Sequence, residues 1–236
     1  MQKLGIIGGT GPESTVDYYQ DIIQGYQEAV GSKEELPEFL IYSINMYRIF
    51  ELLEAGETEK LADYLAEAVN SLHKAGAEFA VLAANTPHIV FDSVQEKTAI
   101  PLVSIVEAAR DRAQELGLKK VALLGTKFTM ENDFFKKPFR DAGIEITVPS
   151  EPQQQYIHEK TLSELEKGVV KSETKSEFIR IAQELIDSEG AEGIILGCTE
   201  FPMILKPDDL PVPLLNTTEI HVKKIIEAMI AAPPGK

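Results

Sequence analysis

The stretch Gly-Ala-Glu-Phe-Ala-Val-Leu-Ala-Ala at residues 76–84 decides the fold, because it returns at residues 190–198 as Gly-Ala-Glu-Gly-Ile-Ile-Leu-Gly-Cys. In each copy a Gly-Ala-Glu turn leads into an apolar run, which ends in a small residue followed by polar ones. A second repeated segment follows, because Ile-Pro-Leu-Val at 100–103 corresponds to Val-Pro-Leu-Leu at 212–215. A chain that repeats itself in this way is predicted to form two similar halves.

Short apolar runs alternate with longer helical patterns along the chain. We predict strands at 4–8, 39–44, 79–84, 102–105, 121–125, 144–148, 194–198 and 214–216. We predict helices near 13–29, 57–75, 104–117, 130–141, 174–189 and 218–231. The strands are apolar on both faces, which is typical of parallel strands covered by helices on both sides. The sequence therefore predicts an α/β fold of two pseudo-symmetric lobes, each a mainly parallel sheet flanked by helices.

The boundary between the two lobes is predicted close to residue 100. This gives a first lobe of residues 1–99 and a second lobe of residues 100–216. The helix expected at 217–236 follows the last strand of the second half and is predicted to pack back on the first lobe. Two halves built alike usually hold a ligand in the cleft between them, so we expect the functional site there.

Composition excludes several classes of partner. The formal net charge is −15, and such a surface repels phosphate backbones and anionic lipid, so we expect neither nucleic-acid nor membrane partners. A single cysteine and four scattered histidines give no disulfide framework and no zinc spacing, so no metal site is expected. The chain enters a strand directly and holds no apolar run of the roughly 20 residues that a membrane span needs. A soluble cytoplasmic protein is the expectation.

Polar residues cluster where the predicted strands end. In open parallel sheets ligands bind beyond the carboxyl ends of the strands, where helix N-termini present N–H groups to anions. The candidates are small hydroxyl and amide residues with one arginine and the cysteine segment: Thr10, Asn45, Arg48, Asn85, Thr86, Thr126, Thr129, Cys198, Thr199 and Glu200. Any one threonine or asparagine could simply cap a helix. Together at one edge in both halves, they suit a compact carboxylate, which arginine grips with two parallel hydrogen bonds.

Cys198, the only cysteine, has two interpretations. A lone cysteine is often a buried and inert core residue. Cys198, however, ends a predicted strand and precedes Thr-Glu-Phe-Pro at 199–202, where a helix is expected to begin. A helix N-terminus lowers the pKa of a thiol and so favours the reactive thiolate. Glu200 would oppose that lowering if its carboxylate faced the sulfur.

The segment Gly8–Glu13 weakly resembles a nucleotide-binding loop. A dinucleotide site needs an acid at the end of the second strand to hold the ribose, whereas the strand predicted at 39–44 is followed by Asn45. Glu13 would also repel a pyrophosphate. Nucleotide binding is therefore a minor alternative.

Four motifs together resemble the aspartate/glutamate racemase family: Gly8-Gly9-x-Gly11-Pro12, Asn85-Thr86-x-His88, Leu124-Gly125-Thr126-x-x-Thr129 and Gly197-Cys198-Thr199-Glu200. The resemblance runs over essentially the whole chain. It implies inversion of the α-carbon of an amino acid without metal, pyridoxal phosphate or other cofactor, in a cleft between two lobes. In that family two cysteines face each other across the substrate, one removing the α-proton and the other delivering a proton. The expected partner is an amino acid or dicarboxylate, and the expected assembly is a homodimer.

The resemblance implies a role for each matching residue. Cys198 matches one catalytic cysteine, while Ala84 stands at the position of its partner and has no proton to give. Substrate-binding roles fall to Thr10, Arg48, Asn85, Thr86, Thr126, Thr129, Lys167 and Thr199. Arg48 and a lysine would receive the side-chain carboxylate, but alignment on Gly168 puts Glu166 at the lysine position, with Lys167 one residue later. Without a one-residue slip, a neutral or basic substrate side chain is favoured over an acidic one.

We therefore predict an amino-acid racemase acting on aspartate, glutamate or a related amino acid, with Cys198 as one acid/base. Two alternatives stay open. A lyase of the decarboxylase type in the same superfamily needs only one proton donor, so the absence of a thiol at Ala84 would not impair it. A catalytically impaired paralogue would bind an amino acid without turning it over.

Overall fold

The computed structural model describes residues 1–231, which form two units. One unit comprises Met1–Ile105 together with the chain from Thr218 onward, and the other comprises Val106–Thr217. Each unit contains a four-stranded parallel sheet flanked by helices, so the predicted α/β fold is confirmed. The last part of the helix expected at 217–236 lies outside the described residues.

Strands and helices alternate through the described part of the chain. In order they are β1 (Leu4–Gly8), α1 (Pro12–Val30), β2 (Phe39–Ser43), α2 (Met46–Glu54), α3 (Thr58–Lys74), β3 (Phe79–Leu82), α4 (Phe91–Glu96), β4 (Leu102–Val103), α5 (Ile105–Glu115), β5 (Lys120–Gly125), α6 (Lys127–Glu131), α7 (Asp133–Asp141), β6 (Glu145–Thr147), α8 (Glu151–Ser163), α9 (Ser172–Glu189), β7 (Ile194–Gly197), α10 (Phe201–Ile204), β8 (Leu214–Asn216) and α11 (Thr217–Ile230). Short 3-10 turns lie at Thr86–Val90, Leu165–Lys167 and Pro207–Asp209.

The two sheets share one topology. Their strand orders are β2-β1-β3-β4 and β6-β5-β7-β8, and every neighbouring pair is parallel. Parallel pairing brings the carboxyl ends of the strands in each sheet to the same edge, where ligands bind in folds of this kind. A boundary between residues 99 and 100 would assign β4 to the second lobe, but β4 pairs with β3 in the first sheet.

Different helices cover the two faces of the first sheet. Ile7 of β1 packs with Leu65 of α3 on one face. Ile6, its neighbour in the strand, packs with Tyr18 of α1 and Ile225 of α11 on the other face. Because successive strand residues point to opposite faces, both faces of β1 are buried, and each such side chain stabilises the fold by about 1.5–3 kcal/mol. The C-terminal helix α11 thus belongs to the core of the first unit.

A buried hydrogen-bonded histidine fixes α11 against two other elements. Tyr18 of α1 donates its hydroxyl to Nδ1 of His221 at 2.7 Å, and Nε2 of His221 donates to the carbonyl of Val103 in β4 at 3.0 Å. Since a carbonyl can only accept, the proton of this ring lies on Nε2. Burial lowers the pKa of His221 to about 4, so the ring is neutral near pH 7. One side chain therefore joins α1, α11 and β4.

The core of the second unit lies mainly between its sheet and two helices. Leu124 of β5 and Leu196 of β7 pack with Phe178 and Ile181 of α9 and with Ile157 of α8. Helix α9 ends at Glu189 and is capped by Gly190, the first residue of the Gly-Ala-Glu turn, which has a left-handed φ of 73°. In the second copy of the repeat, the Gly-Ala-Glu turn thus follows the end of a helix and leads into the buried strand β7.

Some helices were absent from the prediction. Helix α8 is the longest of them, and its apolar residues do not gather on one face of the sequence pattern. A capping box at its start, in which the Ser150 and Gln153 side chains each bond the other's backbone, is the signal that could have found it. The single helix predicted over 130–141 is instead the pair α6 and α7, which meet at Asn132.

Candidate active site

The turn from β1 into α1 depends on glycine and leaves one polar group unused. Gly9 has a left-handed φ of 76°, and a Cβ there would collide with the carbonyl oxygen of Ile44. Its N–H donates to Oγ1 of Thr15 at 2.9 Å, which fixes the turn. The hydroxyl of Thr10 is buried and has no hydrogen-bond partner within residues 1–231. Buried polar groups are nearly always bonded, so this hydroxyl is available to a ligand.

Arg48 follows β2 and is held by an aromatic ring rather than by a carboxylate. Its guanidinium lies 4.4 Å from the centre of the Tyr64 ring, and no acidic residue of the described chain forms an ion pair with it. The hydroxyl of Tyr64 accepts from the N–H of Asn45 at 3.1 Å, while the Asn45 side chain caps α2 by accepting from the N–H of Tyr47 at 3.0 Å. Asn45 is therefore a helix cap, while the guanidinium of Arg48 lies on the Tyr64 ring without an ion pair to a described acidic residue.

The end of β3 carries Ala84, Asn85 and Thr86. Ala84 and Thr86 are half-buried and Asn85 is buried. Two buried side chains hold the backbone here, since Ser14 donates to the carbonyl of Ala83 at 3.4 Å and His88 donates from Nδ1 to the carbonyl of Ala84 at 2.9 Å. The predicted residues thus lie together at the carboxyl edge of the first sheet. Their backbone is fixed by His88, which belongs to one of the four motifs, and by Ser14, which the sequence analysis did not single out.

In the second unit, the end of β5 carries Thr126 and Thr129. Thr126 caps α6 by accepting from the N–H of Thr129 at 3.4 Å, and the two hydroxyls lie 3.1 Å apart. Thr129 is fully buried, and a Cβ on Gly125 would lie only 3.0 Å from its Cβ. Thr129 therefore packs beneath the strand end, while half-buried Thr126 is the more accessible of the two.

Cys198 lies one residue beyond β7 and is only 8% exposed. Its thiol donates to Oε2 of Glu200 at 2.9 Å. The hydroxyl of Thr199 donates to the same oxygen, also at 2.9 Å. A single carboxylate oxygen thus accepts from both the thiol and the neighbouring hydroxyl.

The surroundings of Cys198 decide between the two opposing effects expected on the pKa of its thiol. Burial raises the pKa of the thiol well above its ordinary value, and the Glu200 carboxylate raises it further by its charge and by accepting the thiol proton. Helix α10, which begins near Cys198, has only four residues, so its N-terminus has little dipole to oppose this. The Glu200 carboxylate faces the sulfur and opposes the lowering by the helix N-terminus, which is the second of the two effects expected from the sequence, and the neutral thiol is the favoured form.

A second carboxylate lies close to the same group. Glu166 is half-buried, and burial together with the charge of Glu200 raises its pKa. The charge of Glu166 also contributes to the raised pKa of Cys198. Lys167 is exposed at the end of its 3-10 turn, where Gly168 with φ 70° closes the turn. The acid, not the lysine, is thus the member of this pair that acts on the thiol.

Replacing Glu200 by glutamine is expected to accelerate alkylation of Cys198 by iodoacetamide at neutral pH. The carboxylate raises the thiol pKa, so its removal lowers that pKa and increases the thiolate fraction, about tenfold for each unit. The measurement is the alkylation rate against pH by mass spectrometry, which is unambiguous because the chain has one cysteine.

Glu151→Gln is the matched control, because it removes the same charge from the exposed start of α8. Its alkylation profile should follow that of the parent. A Glu200→Gln profile that coincides with the parent's would show that Glu200 does not hold the thiol proton.

Within residues 1–231, no group of three or more histidine, cysteine or acidic side chains is arranged to hold a metal ion. None of the described helices has the length and apolar character needed to cross a membrane.

Comparison with known proteins places this chain among racemases. The family model for Asp/Glu/Hydantoin racemase matches residues 7–225. A broad-specificity amino-acid racemase of Bacillus subtilis is 22% identical over 231 residues, covering 97% of this chain and 98% of that protein.

Solved structures agree with the family match. An aspartate racemase homologue from Pyrococcus horikoshii is 40% identical, with a TM-score of 0.84 over 97% of this chain and 99% of that one. Aspartate racemase from Picrophilus torridus has a TM-score of 0.74 at 20% identity, over 97% and 94% of the two chains, which shows the shared fold. The resemblance found in the four sequence motifs is therefore confirmed, and with it an enzyme of the isomerase class. The chain belongs to the Asp/Glu/Hydantoin racemase family.

Proposed function

We propose that this protein is a cofactor-independent amino-acid racemase in which Cys198 is an acid/base at the substrate α-carbon. The observation that carries the proposal is the buried Cys198 thiol at the end of β7, hydrogen-bonded to the carboxylate of Glu200. General acid–base catalysis needs a group that can both give and take a proton within hydrogen-bond reach. The family of racemases to which the chain belongs supports the same role.

The resting thiol is the proton donor, and its base form arises by transfer to Glu200. In the donor direction the S–H proton passes to the α-carbanion and leaves a thiolate. In the acceptor direction Glu200 first takes the thiol proton, and the resulting thiolate then removes the α-proton and becomes a thiol again. The carbanion is protonated by the group on the other face, and the proton held by Glu200 replaces the one that this group has lost. The transfer of the thiol proton to Glu200 follows the 2.9 Å hydrogen bond between the sulfur of Cys198 and Oε2 of Glu200.

The carbanion requires positioned donors, because no electron sink is involved. Thr10, with its unbonded hydroxyl, and the residues Asn85, Thr86 and Thr199 are the proposed partners of the α-carboxylate and ammonium groups. The repeat predicts that Ala84 occupies the face opposite Cys198, and that placement stays a prediction. A water or the Thr86 hydroxyl is the proposed proton source on that face.

The substrate side chain is proposed to be neutral or basic rather than acidic. Glu200 accepts the hydrogen bond of the Cys198 thiol, and the charges of Glu200 and Glu166 both raise the pKa of that thiol. A third carboxylate from the substrate would meet like charge in a poorly solvated setting, whereas an ammonium or guanidinium would be attracted. Arg48 remains the proposed partner of a substrate carboxylate, which every amino acid supplies at its α-carbon. The Bacillus subtilis relative is named for broad specificity, which supports a choice beyond aspartate and glutamate.

The proposal is tested by incubating the protein with a panel of L-amino acids in deuterium oxide. Proton NMR follows α-proton exchange, and chiral chromatography follows inversion. Basic or neutral amino acids should exchange faster than aspartate and glutamate. Glu166→Gln should lower kcat/KM for a basic amino acid by about ten- to a hundredfold, because it leaves the bound cation without its half-buried partner.

Lys167→Gln is the variant matched to Glu166→Gln, because it alters the adjacent but exposed side chain. A loss confined to acidic substrates in Lys167→Gln would assign the side-chain pocket to the lysine and overturn the preference proposed above. Exchange with none of the amino acids would contradict the racemase proposal itself.

The same experiment separates the two alternative functions. A one-cysteine decarboxylase would release carbon dioxide and leave a product with one carboxylate fewer. A paralogue that only binds would perturb substrate resonances without exchanging the α-proton. The homodimer and the cytoplasmic location stay predictions from the sequence.

A further inference from the structure

His88 is a buried histidine that the proposed chemistry does not use. It lies in the 3-10 turn after β3, is 4% exposed, and stacks on Phe91 with ring centres 5.0 Å apart and ring planes at 6°. Nδ1 lies 2.9 Å from the carbonyl oxygen of Ala84, and Nε2 lies 3.2 Å from the backbone N of Ile105. Both ring nitrogens are thus bonded to the backbone of the first unit.

These two partners leave the His88 ring only one tautomer. A backbone N–H can only donate, so Nε2 must be unprotonated to accept from Ile105. The proton therefore lies on Nδ1 and is donated to the carbonyl of Ala84. Burial and the nearby His221 lower the pKa of His88 to about 3, which keeps the ring neutral near pH 7. His88 is a fixed donor on one side and a fixed acceptor on the other.

The donor side acts on the strand end that carries the candidate site. The Ala84 carbonyl belongs to the planar peptide group that leads into Asn85, so fixing the carbonyl also fixes the direction of that peptide. Ser14 holds the preceding carbonyl, that of Ala83, by a longer bond of 3.4 Å. The 2.9 Å bond from His88 is thus the stronger constraint on the peptide between Ala84 and Asn85.

We propose that His88 is a positioning residue, whose Nδ1–H orients the Ala84–Asn85 peptide and thereby presents Asn85 and Thr86 to the substrate. The inference rests on the proposed racemase function. A purely structural histidine would need only its buried ring and its bond to Ile105, whereas a positioning residue needs the bond to Ala84. The two roles therefore depend on different ring nitrogens and can be separated.

The test compares His88→Asn with His88→Gln. The asparagine amide nitrogen can take the place of Nδ1 and keep the bond to Ala84, while losing the acceptor for Ile105. Glutamine reaches the position of Nε2, so its oxygen can accept from Ile105, while the donor to Ala84 is lost. We expect His88→Asn to keep kcat within about threefold of the parent, and His88→Gln to lower kcat about a hundredfold, as a small misplacement of binding groups does.

Two further measurements make the outcome decisive. Backbone hydrogen exchange of the peptide spanning residues 84–86 should be about tenfold faster in His88→Gln than in His88→Asn. His221→Gln is the control for loss of a buried neutral histidine in the same unit, because His221 bonds Tyr18 and Val103 rather than the end of β3. Its kcat should remain close to that of the parent at temperatures well below its thermal midpoint.

Equal kcat values and equal hydrogen exchange in His88→Asn and His88→Gln would overturn the positioning role. A loss of kcat that follows the thermal midpoint in all three variants would do the same. Failure of the racemase proposal is recognised separately, because the parent would then exchange no amino acid. The difference in backbone hydrogen exchange between the two His88 variants would still decide whether Nδ1–H holds the strand end.

Discussion

Cys198→Ala is expected to abolish both α-proton exchange and inversion. The thiol is the proposed acid/base. The groups beside it that could replace it are the Glu200 carboxylate, to which the thiol donates, and the Thr199 hydroxyl, which donates to the same carboxylate oxygen. Losing one positioned acid/base typically lowers a rate by about 10²–10⁴-fold. The measurement is proton NMR in deuterium oxide with the best substrate of the panel, at enzyme concentrations high enough to detect a ten-thousandth of the parent rate.

Cys198→Ser provides the matched control for packing, since it keeps the shape of the side chain and replaces the thiol by a far weaker acid. It should be nearly as inactive as Cys198→Ala while binding substrate with a dissociation constant close to the parent's. Exchange that survives in both variants would show that Cys198 is a core residue of the cluster around Phe201 and Leu196.

Ala84→Cys is expected to raise the rate of inversion by about a hundredfold. The parent offers a thiol on one face only, so Cys198 should exchange deuterium into one enantiomer faster than the protein inverts either. A second thiol would supply a positioned proton on the other face, an effect of about 10²–10⁴-fold in general acid–base catalysis. Ala84 is half-buried at the end of β3, where a slightly larger side chain adds one heavy atom. Chiral chromatography from each enantiomer in turn measures the change.

Ala84→Ser separates proton supply from size. Serine adds one heavy atom at the same place, but its hydroxyl is a much weaker acid than a thiol. The inversion rate of Ala84→Ser should therefore rise far less than that of Ala84→Cys. Fast and equal turnover of both enantiomers by the parent would show that another group already supplies the second proton. Thr86→Val is then the first variant to examine.

The fold could be predicted from the sequence because its signals are local. The β1, β3, β5 and β7 runs are apolar on both faces and are bounded by turns, so their type and order followed from periodicity. Helix α8 was missed because its apolar residues are not gathered on one face, although Ile157 is fully buried against its neighbours. The Ser150 and Gln153 pair that forms its capping box could, however, be recognised in the sequence.

The position of the candidate residues at the ends of strands was predictable from the sequence, but their electrostatics was not. The direction of the Cys198 pKa depends on where the Glu200 side chain points, and a sequence does not fix that rotamer. The choice between Glu166 and Lys167 as the pocket residue depends on a shift of one residue and stays a prediction. The structure adds that Glu166 is half-buried and Lys167 is exposed, which the sequence did not indicate. Asn45 and Thr126 also matched the site pattern, and both prove to cap helices.

The interrupted first unit has a consequence for synthesis on the ribosome. Its core cluster includes Val222, Ile225 and Met229, and these are translated after the whole of Val106–Thr217. The later unit is one continuous segment and can finish its core as soon as it emerges, whereas the earlier one must wait until α11 has been made. The unit that begins earlier in the chain is therefore completed after the one that follows it. Until then the surfaces of β1 and α1 that pack against α11 are exposed to other chains.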